Sequence, residues 1–335
     1  MGAGGIYYRT TIPSTPKNTG TTSPSLPDLS SPSPERIAAE AKLTEIESSD
    51  VSQMQDTSAS GLLAEINAKQ KIPSLFPLVL GGFLFASFVA ANSAPIMWSI
   101  LGIGAIASFF AKRQDAINKT VVVFYDFEND SEKSFKQLFD SFENLLNTQK
   151  AWHIEAAGNV KDKKRTAGAD TMYKRTQIAL SRSQPPFISL NLDIPCIPVG
   201  KQRIYFLPDT ILIYDKRKVG AVSYKELTSN HLDTRFIETE RVPSDAKVID
   251  KTWLYVNKKG GPDKRFKDNR QLPVVQYGEL HLRSASGLNE RIQASNSMKL
   301  KQFADSLADY SSSFESLKEK QISLEADSLL QDDGT

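Results

Sequence analysis

Residues 72–111 read IPSLFPLVLGGFLFASFVAANSAPIMWSILGIGAIASFFA, forty consecutive positions without a charged side chain. A helix rises 1.5 Å per residue and a bilayer core is ~30 Å thick, so one span takes ~20 apolar residues. Forty are too many for one span and suit two short ones. Asn92, Ser93, Ala94 and Pro95 supply turn chemistry at the midpoint. A soluble helical hairpin keeps a polar face, and neither half has one. The stretch is therefore expected to be a two-helix transmembrane hairpin. Lys69 and Lys71 precede it, and Lys112 and Arg113 follow it. Basic flanks place both termini in the cytoplasm, at the inner (plasma) membrane, with the Asn92 turn facing outward. Gly82, Ala86 and Ala90, with Gly104 and Ser108, form ridges of small residues that let two helices approach closely. No ionisable group lies inside the stretch, which argues against a proton relay or ion-coupled transport.

Before the hairpin the chain changes character twice. Ile6 to Ile12 has strand chemistry, β-branched and aromatic after a glycine pair. A lone strand is unstable, so it either joins another sheet or is a remnant. It lacks the basic start and long apolar run of a secretory signal, and Ile6 stands where a myristoylation signal wants Ser or Thr. Residues 12–34 hold six Pro, six Ser and four Thr. Such a stretch cannot bury enough apolar surface to offset its ordering entropy and reads as disordered. Residues 35–71 read as a helical spacer. Ile37, Ala41, Leu43, Ile46, Val51 and Met54 recur at roughly helical spacing, with Pro34 placed to start the helix. A second short helix carries Leu62, Leu63 and Ile66. Such helices serve as an amphipathic spacer or as a partner-binding or self-associating surface.

After the hairpin, residues 119–310 read as a cytoplasmic α+β domain. A strand at 120–126 leads to an amphipathic helix in which Phe135, Leu138, Phe139, Phe142, Leu145 and Leu146 share one face. A strand at 151–155 follows. Residues 161–182 are polar and basic. Strand-like runs come next at 187–192, 203–206, 210–214, 219–224, 252–256, 274–277 and 279–283, spaced as antiparallel hairpins. From Asn289 the pattern turns helical, with Leu300, Phe303, Leu307, Tyr310, Phe314 and Leu317 three or four apart. That helix is expected to close one end of a curved sheet. Residues 311–335 read as helix, then disordered tail.

The whole chain, 335 residues with 41 Lys and Arg against 39 Asp and Glu, has a net charge of only +2. No polyelectrolyte character draws it to nucleic acid. A single cysteine, Cys196, excludes an internal disulfide framework and a cysteine-rich zinc module. Its neighbours Ile194, Pro195, Ile197 and Pro198 mark it as a buried, inert thiol.

Residues 203–215, RIYFLPDTILIYD, followed by 218–227, KVGAVSYKEL, resemble the strand–turn–strand core of bacterial pleckstrin-homology-like domains. Residues 252–270, TWLYVNKKGGPDKRFKDNR, resemble a segment of bacterial membrane proteins of unknown function. Gly4 to Arg9 looks like the tail of a small glycine-rich β module that opens many of them. The resemblance implies a membrane-anchored protein with a pleckstrin-homology-like cytoplasmic domain. It carries no catalytic residues to transfer.

Two basic stretches stand out. Lys161, Lys163, Lys164, Arg165, Lys174, Arg175 and Arg182 make seven cations against two acids, and residues 251–270 repeat that ratio. Basic loops beside a membrane are attracted to anionic lipid. Lys258, Lys259, Lys264, Arg265, Lys267 and Arg270, around the Gly260-Gly261-Pro262 turn, are therefore the candidate site for an anionic head group or a protein partner. Phe266 among them is placed to insert at the interface. Solvated loop charge is the plainer reading of both stretches. Nucleic acid is disfavoured, because stacking aromatics do not interleave with the charges.

Asp126, Glu128 and Asp130 alternate, but Ser131 and Gln137 occupy the positions where a calcium loop needs Gly and Glu. These acids suit the positive end of the following helix instead. His153, His231 and His281 form no metal spacing, and no serine elbow or phosphate loop accompanies them. No residue is assigned a catalytic, cofactor or metal role. The expected partners are the bilayer, an anionic lipid or protein, and a second copy through the helices. The reading is a non-enzymatic membrane-anchored binding or scaffold protein. Its rivals are an enzyme whose site is hidden in sequence order and a pore-forming effector.

Overall fold

The computed structural model describes residues 5–10, 43–125, 130–160, 162–164, 166–216 and 218–332. The chain runs β1 (Gly5–Thr10), β2 (Thr44–Glu45), α1 (Ser60–Gln70), α2 (Phe76–Val89), α3 (Ala94–Lys119), β3 (Val121–Val123) and α4 (Asp130–Leu146). It continues with β4 (Ala151–Asn159), β5 (Thr171–Ile178), β6 (Ser181–Ser183), β7 (Ile188–Leu190), β8 (Ile194–Val199), β9 (Gln202–Phe206), β10 (Ile211–Asp215) and β11 (Lys218–Val222). Then come β12 (Thr228–Ile237), β13 (Lys247–Trp253), β14 (Gln271–Arg283), β15 (Asn289–Ala294) and α5 (Ser297–Asp332). The class is α+β, with mostly antiparallel sheets; β3 and β7 pair in parallel.

The meander β8 to β11, with β6 at its far edge, forms a five-stranded sheet. Alternation along its strands sorts side chains between two cores. Ile197, Ile204, Phe206, Ile211 and Ile213 join Phe135 and Phe142 of α4 and Leu300, Phe303 and Leu307 of α5. Cys196, Tyr205, Leu212 and Tyr214 face the other way, onto Leu63 and Ile66 of α1 and Val121 and Ile188 of β3 and β7. Both faces are covered, which is why these strands read as continuous apolar runs.

The larger sheet closes on itself. β1, β5, β4, β15, β14 and β12 pair in that order, and β12 pairs back to β1. The first strand is thus no remnant. It fills the gap between β5 and β12, with Tyr8 opposite both Met172 and Ile237. β14 is long enough to hold β12 on one edge and both β13 and β15 on the other.

Residues 35–71 depart from a helical spacer. Residues 35–42 lie outside the described residues, as do the Ser/Thr/Pro-rich 12–34 (beyond 11) and the acids at 126–129. Residues 43–59 form an extended belt with two short 3-10 turns, and helix is confined to α1. The cause is local. Asp50 and Asp56 accept hydrogen bonds from the Ser52 and Ser58 backbone N–H groups two residues on, offering the chain turns in place of helix. The belt's Val51 and Met54 sit in the main core. At the other end, α5 runs unbroken past residue 310 to Asp332.

Between belt and body stand the two apolar helices. α2 and α3 lie antiparallel across a four-residue connection and pack on each other: the ring of Phe83 covers Gly104, where an added Cβ would come within 2.6 Å. Gly104 and Ser108 are buried at this contact. Gly82 is not; it faces open space, and the ridge that α2 presents is built on Phe83 and Ser87 instead. Only α3 is by itself long and apolar enough to cross a membrane among the described residues. α2 has 14 residues because Pro77, tolerated only in a first turn, fixes its start at Phe76, and Asn92 and Ser93 belong to the turn. α3 exceeds the uncharged stretch by two turns, ending at Lys119.

Candidate functional site

The base of the helix pair is assembled from three separated segments. α1 ends at Gln70, α2 begins at Phe76, and α3 returns to Lys119 before β3. Lys69 Nζ donates to the Thr120 carbonyl at 2.7 Å, and Lys119 Nζ donates to Ser74 Oγ. The Asp115 carboxylate, itself buried, accepts the Leu75 and Phe76 backbone N–H groups at 2.9 and 2.8 Å. It thereby caps the first turn of α2, where two N–H groups have no helical partner.

Two cavities open at this base. One, of about 320 Å³, is lined by Gln70, Lys71, Ile72, Pro73, Ser74, Lys119 and Phe187. The other, of about 410 Å³, shares Ser74, Lys119 and Phe187 and adds Lys112 and Asp115. Phe187 comes from the connection between β6 and β7, and its φ of 66° lies where bulky side chains rarely go. None of this junction except the flanking lysines was legible in the sequence. Its members lie up to 117 positions apart (Gln70 to Phe187), and no local motif links them.

Above the base the surface is apolar. Phe85, Phe88 and Trp98 are 71, 78 and 67% exposed, and Ile103, Ile106, Phe109 and Phe110 are also exposed. The apolar surface continues below the helices, where Val122 is exposed on β3 and Phe124 just beyond it is 77% exposed.

The six candidate cations sit elsewhere. Lys258, Lys259, Lys264, Arg265, Lys267 and Arg270 are all exposed on the connection between β13 and β14. That loop is built against the β4–β5 connection: Val256 N–H donates to the Lys164 carbonyl, and Ala167 N–H to that of Leu254. Arg265 pairs with Asp263, whose pKa it pulls down to about 2. Asn269 bridges the loop by exchanging two hydrogen bonds with the Tyr255 backbone. Phe266 is not poised for insertion. Its ring stacks on Tyr255 with centroids 4.0 Å apart, and the side chain is half-buried.

In the other basic stretch, residues 161–182, Arg175 is buried rather than solvated. It lies on β5, a strand hidden in the sequence by its charges. Inside the strand ring its guanidinium sits 4.0 Å from the Trp152 and Phe236 ring centres. It donates to Glu238 Oε2 at 2.9 Å and Gln293 Oε1 at 2.5 Å, while Tyr277 O–H donates to the same Glu238 oxygen at 2.8 Å. Glu279 Oε1 meets His281 Nε2 at 2.5 Å, and His153 Nε2 meets Glu290 Oε2 at 2.7 Å.

The remaining nucleophile geometry is uncooperative. Ser297 Oγ lies 3.2 Å from His231 Nε2 and donates to Asp233. Serine and carboxylate therefore share one ring nitrogen, whereas a relay needs the histidine between them. Cys196 is buried, and burial pushes its thiol up. Among the described residues no group of three or more His, Cys, Asp or Glu is placed to hold a metal ion. No protein-family model, curated protein or solved structure matches this chain.

Proposed function

We propose that the chain is a membrane-anchored binding protein. The α2–α3 hairpin inserts from the cytoplasmic face of the inner membrane, and the body stays on that side with both termini. The observation that carries this reading is the uncharged 72–111 stretch forming two packed helices whose large apolar side chains point outward. In water that surface would be a severe aggregation liability; in lipid it is the expected exterior. The step from Ala94 to Ala111 covers about 27 Å, close to the ~30 Å of a bilayer core. Lys69, Lys71, Lys112, Arg113 and Lys119 collar one end, as cytoplasmic flanks do. Val122 and Phe124 extend the apolar surface onto the body beside that collar.

The body is the binding part. The buried meander over β8–β11, closed by the C-terminal helix, supports the pleckstrin-homology-like reading. The exposed cations from Lys258 to Arg270 offer an acidic partner or anionic head group a docking surface on a loop held rigid by Asn269 and the Tyr255–Phe266 stack. Alkaline extraction and reporter fusions test the anchor. The chain should stay with the membrane at high pH, and reporters before Pro73 and after Lys119 should both report cytoplasm. Release into the supernatant, or a periplasmic signal from either fusion, would overturn the reading.

A further inference from the structure

The hairpin base has a feature that anchoring alone does not require. Residues with hydrogen-bond donors from three segments line the smaller cavity: Lys119, Ser74, Lys71 and Gln70. Gln70 Nε2 is buried without a hydrogen-bond partner. A buried donor left unpaired keeps its full desolvation penalty, so such a group calls for an acceptor. Among the described residues that line the two cavities the one carboxylate, Asp115, is already engaged by the Leu75 and Phe76 N–H groups and belongs to the neighbouring cavity. Phe187, whose backbone is strained, also lines this cavity, and such strain concentrates where ligands are clamped. Lys112 stands at the second cavity, about two helical turns from Lys119.

We propose that this base is a binding site for the phosphate of an anionic lipid head group, held by Lys71, Lys119, Ser74 and the Gln70 amide. The inference rests on the membrane reading above. It is separate from the 254–270 loop. Phosphate matches the donors: it is a compact anion with several acceptor oxygens, and ammonium groups bind it as point charges. Position selects the lipid source. The cavity lies at the first charged residues after the apolar helices, at the depth where head groups lie, and the exposed Ile72, Leu75 and Ile117 beside it would meet acyl chains.

The full chain in detergent is heated with phosphatidylglycerol, with phosphatidylcholine or with inorganic phosphate, and the unfolding midpoint is read. A ligand that binds only the native state raises that midpoint. Phosphatidylglycerol should raise it, and phosphatidylcholine and inorganic phosphate should not. The shift should vanish in Lys71→Gln/Lys119→Gln and persist in Lys264→Gln/Arg265→Gln/Lys267→Gln. Lys119 also ties α3 to Ser74, so Gln70→Leu provides a second variant that removes the unpaired donor and leaves the Lys119–Ser74 contact in place; it should weaken the shift while leaving the lipid-free midpoint unchanged or higher. Equal shifts with both lipids, or a shift that survives both base variants, would overturn the site. A shift with inorganic phosphate equal to that with phosphatidylglycerol would overturn the lipid assignment. Alkaline extraction of the same protein separates the two levels: a chain that stays in the membrane yet shows no lipid preference sinks this site and leaves the anchor standing.

Discussion

Arg175 shows how one residue can organise an interior. Its charge is out of water, between two aromatic rings, with Glu238 and Gln293 as acceptors. Removing one member of a buried pair strands the other charge, at about 3–5 kcal/mol. Arg175→Met should therefore lower stability by about that much, and Arg175→Met/Glu238→Gln should recover part of the loss; thermal unfolding of the three proteins measures both. Equal midpoints for wild type and Arg175→Met would show that the pair is energetically idle. His231 yields a pH prediction. Burial holds its imidazole below the ordinary histidine value, against the pull of Asp233. The unfolded chain then takes the proton first, at ~6.5. Stability from this group is complete above that pH and is lost as pH falls through the folded value. Between pH 7.5 and 5 the midpoint of wild type should fall more steeply than that of His231→Gln; parallel profiles would exclude the effect. The experiment also probes the junction of β12 with α5, because His231 faces Ser297 at the helix start.

At the scale of elements, β1 and the belt are the informative pieces. β1 pairs with β5 and β12, and without it both are left with unpaired edges. Unpaired edges recruit other strands. Deleting residues 1–10 should lower the unfolding midpoint and shift the protein toward aggregates on size exclusion. A deletion with unchanged midpoint and elution would mean that the ring does not need its sixth strand. The belt is pressed against β11 at Gly220, where a Cβ would come within 2.3 Å of the Val51 carbonyl oxygen and 3.0 Å of that of Met54. Both obstacles are backbone, so Gly220→Ala must push the belt away, at a cost of roughly 1–3 kcal/mol. Faster amide exchange at Ala221 and Asp56 should accompany the loss, since the Ala221 N–H donates to the Met54 carbonyl and the Asp56 N–H to that of Ala221. Unchanged exchange there would contradict the contact.

For the whole molecule, the question is how far body and hairpin depend on each other. Lys69 reaches Thr120, and Lys119 reaches Ser74, so the two ends of the helix pair are adjacent. A short Gly-Ser linker replacing residues 75–116 should close that gap without straining α1 or β3. The resulting protein should be soluble and unfold cooperatively, because its cores draw on α1, α4, α5 and the sheets and not on α2 or α3. Insolubility would place the hairpin within the folding unit. Residues 119–310 alone should do worse. They lack β1, Val51, Met54 and the α1 side chains that cover the outer face of the five-stranded sheet.

Residue order alone determined the parts whose signal is local. Forty uncharged positions specify apolar helices because a helix satisfies its own backbone. The Phe135–Leu146 and Leu300–Phe314 spacings specify amphipathic helices because the 3.6 period is a property of one segment. The exposed cations around Gly260 were legible for the same reason, as hydrophilic turn residues. Tertiary structure decided what depends on distant partners. It buried Arg175 inside a ring of strands, turned Phe266 onto Tyr255, and straightened residues 43–59 into a belt. It also drew Gln70, Ser74, Lys119 and Phe187 around one cavity. Side-chain burial and pairing are set by which strands meet, and strand pairing joins residues whose separation in sequence carries no periodic signal.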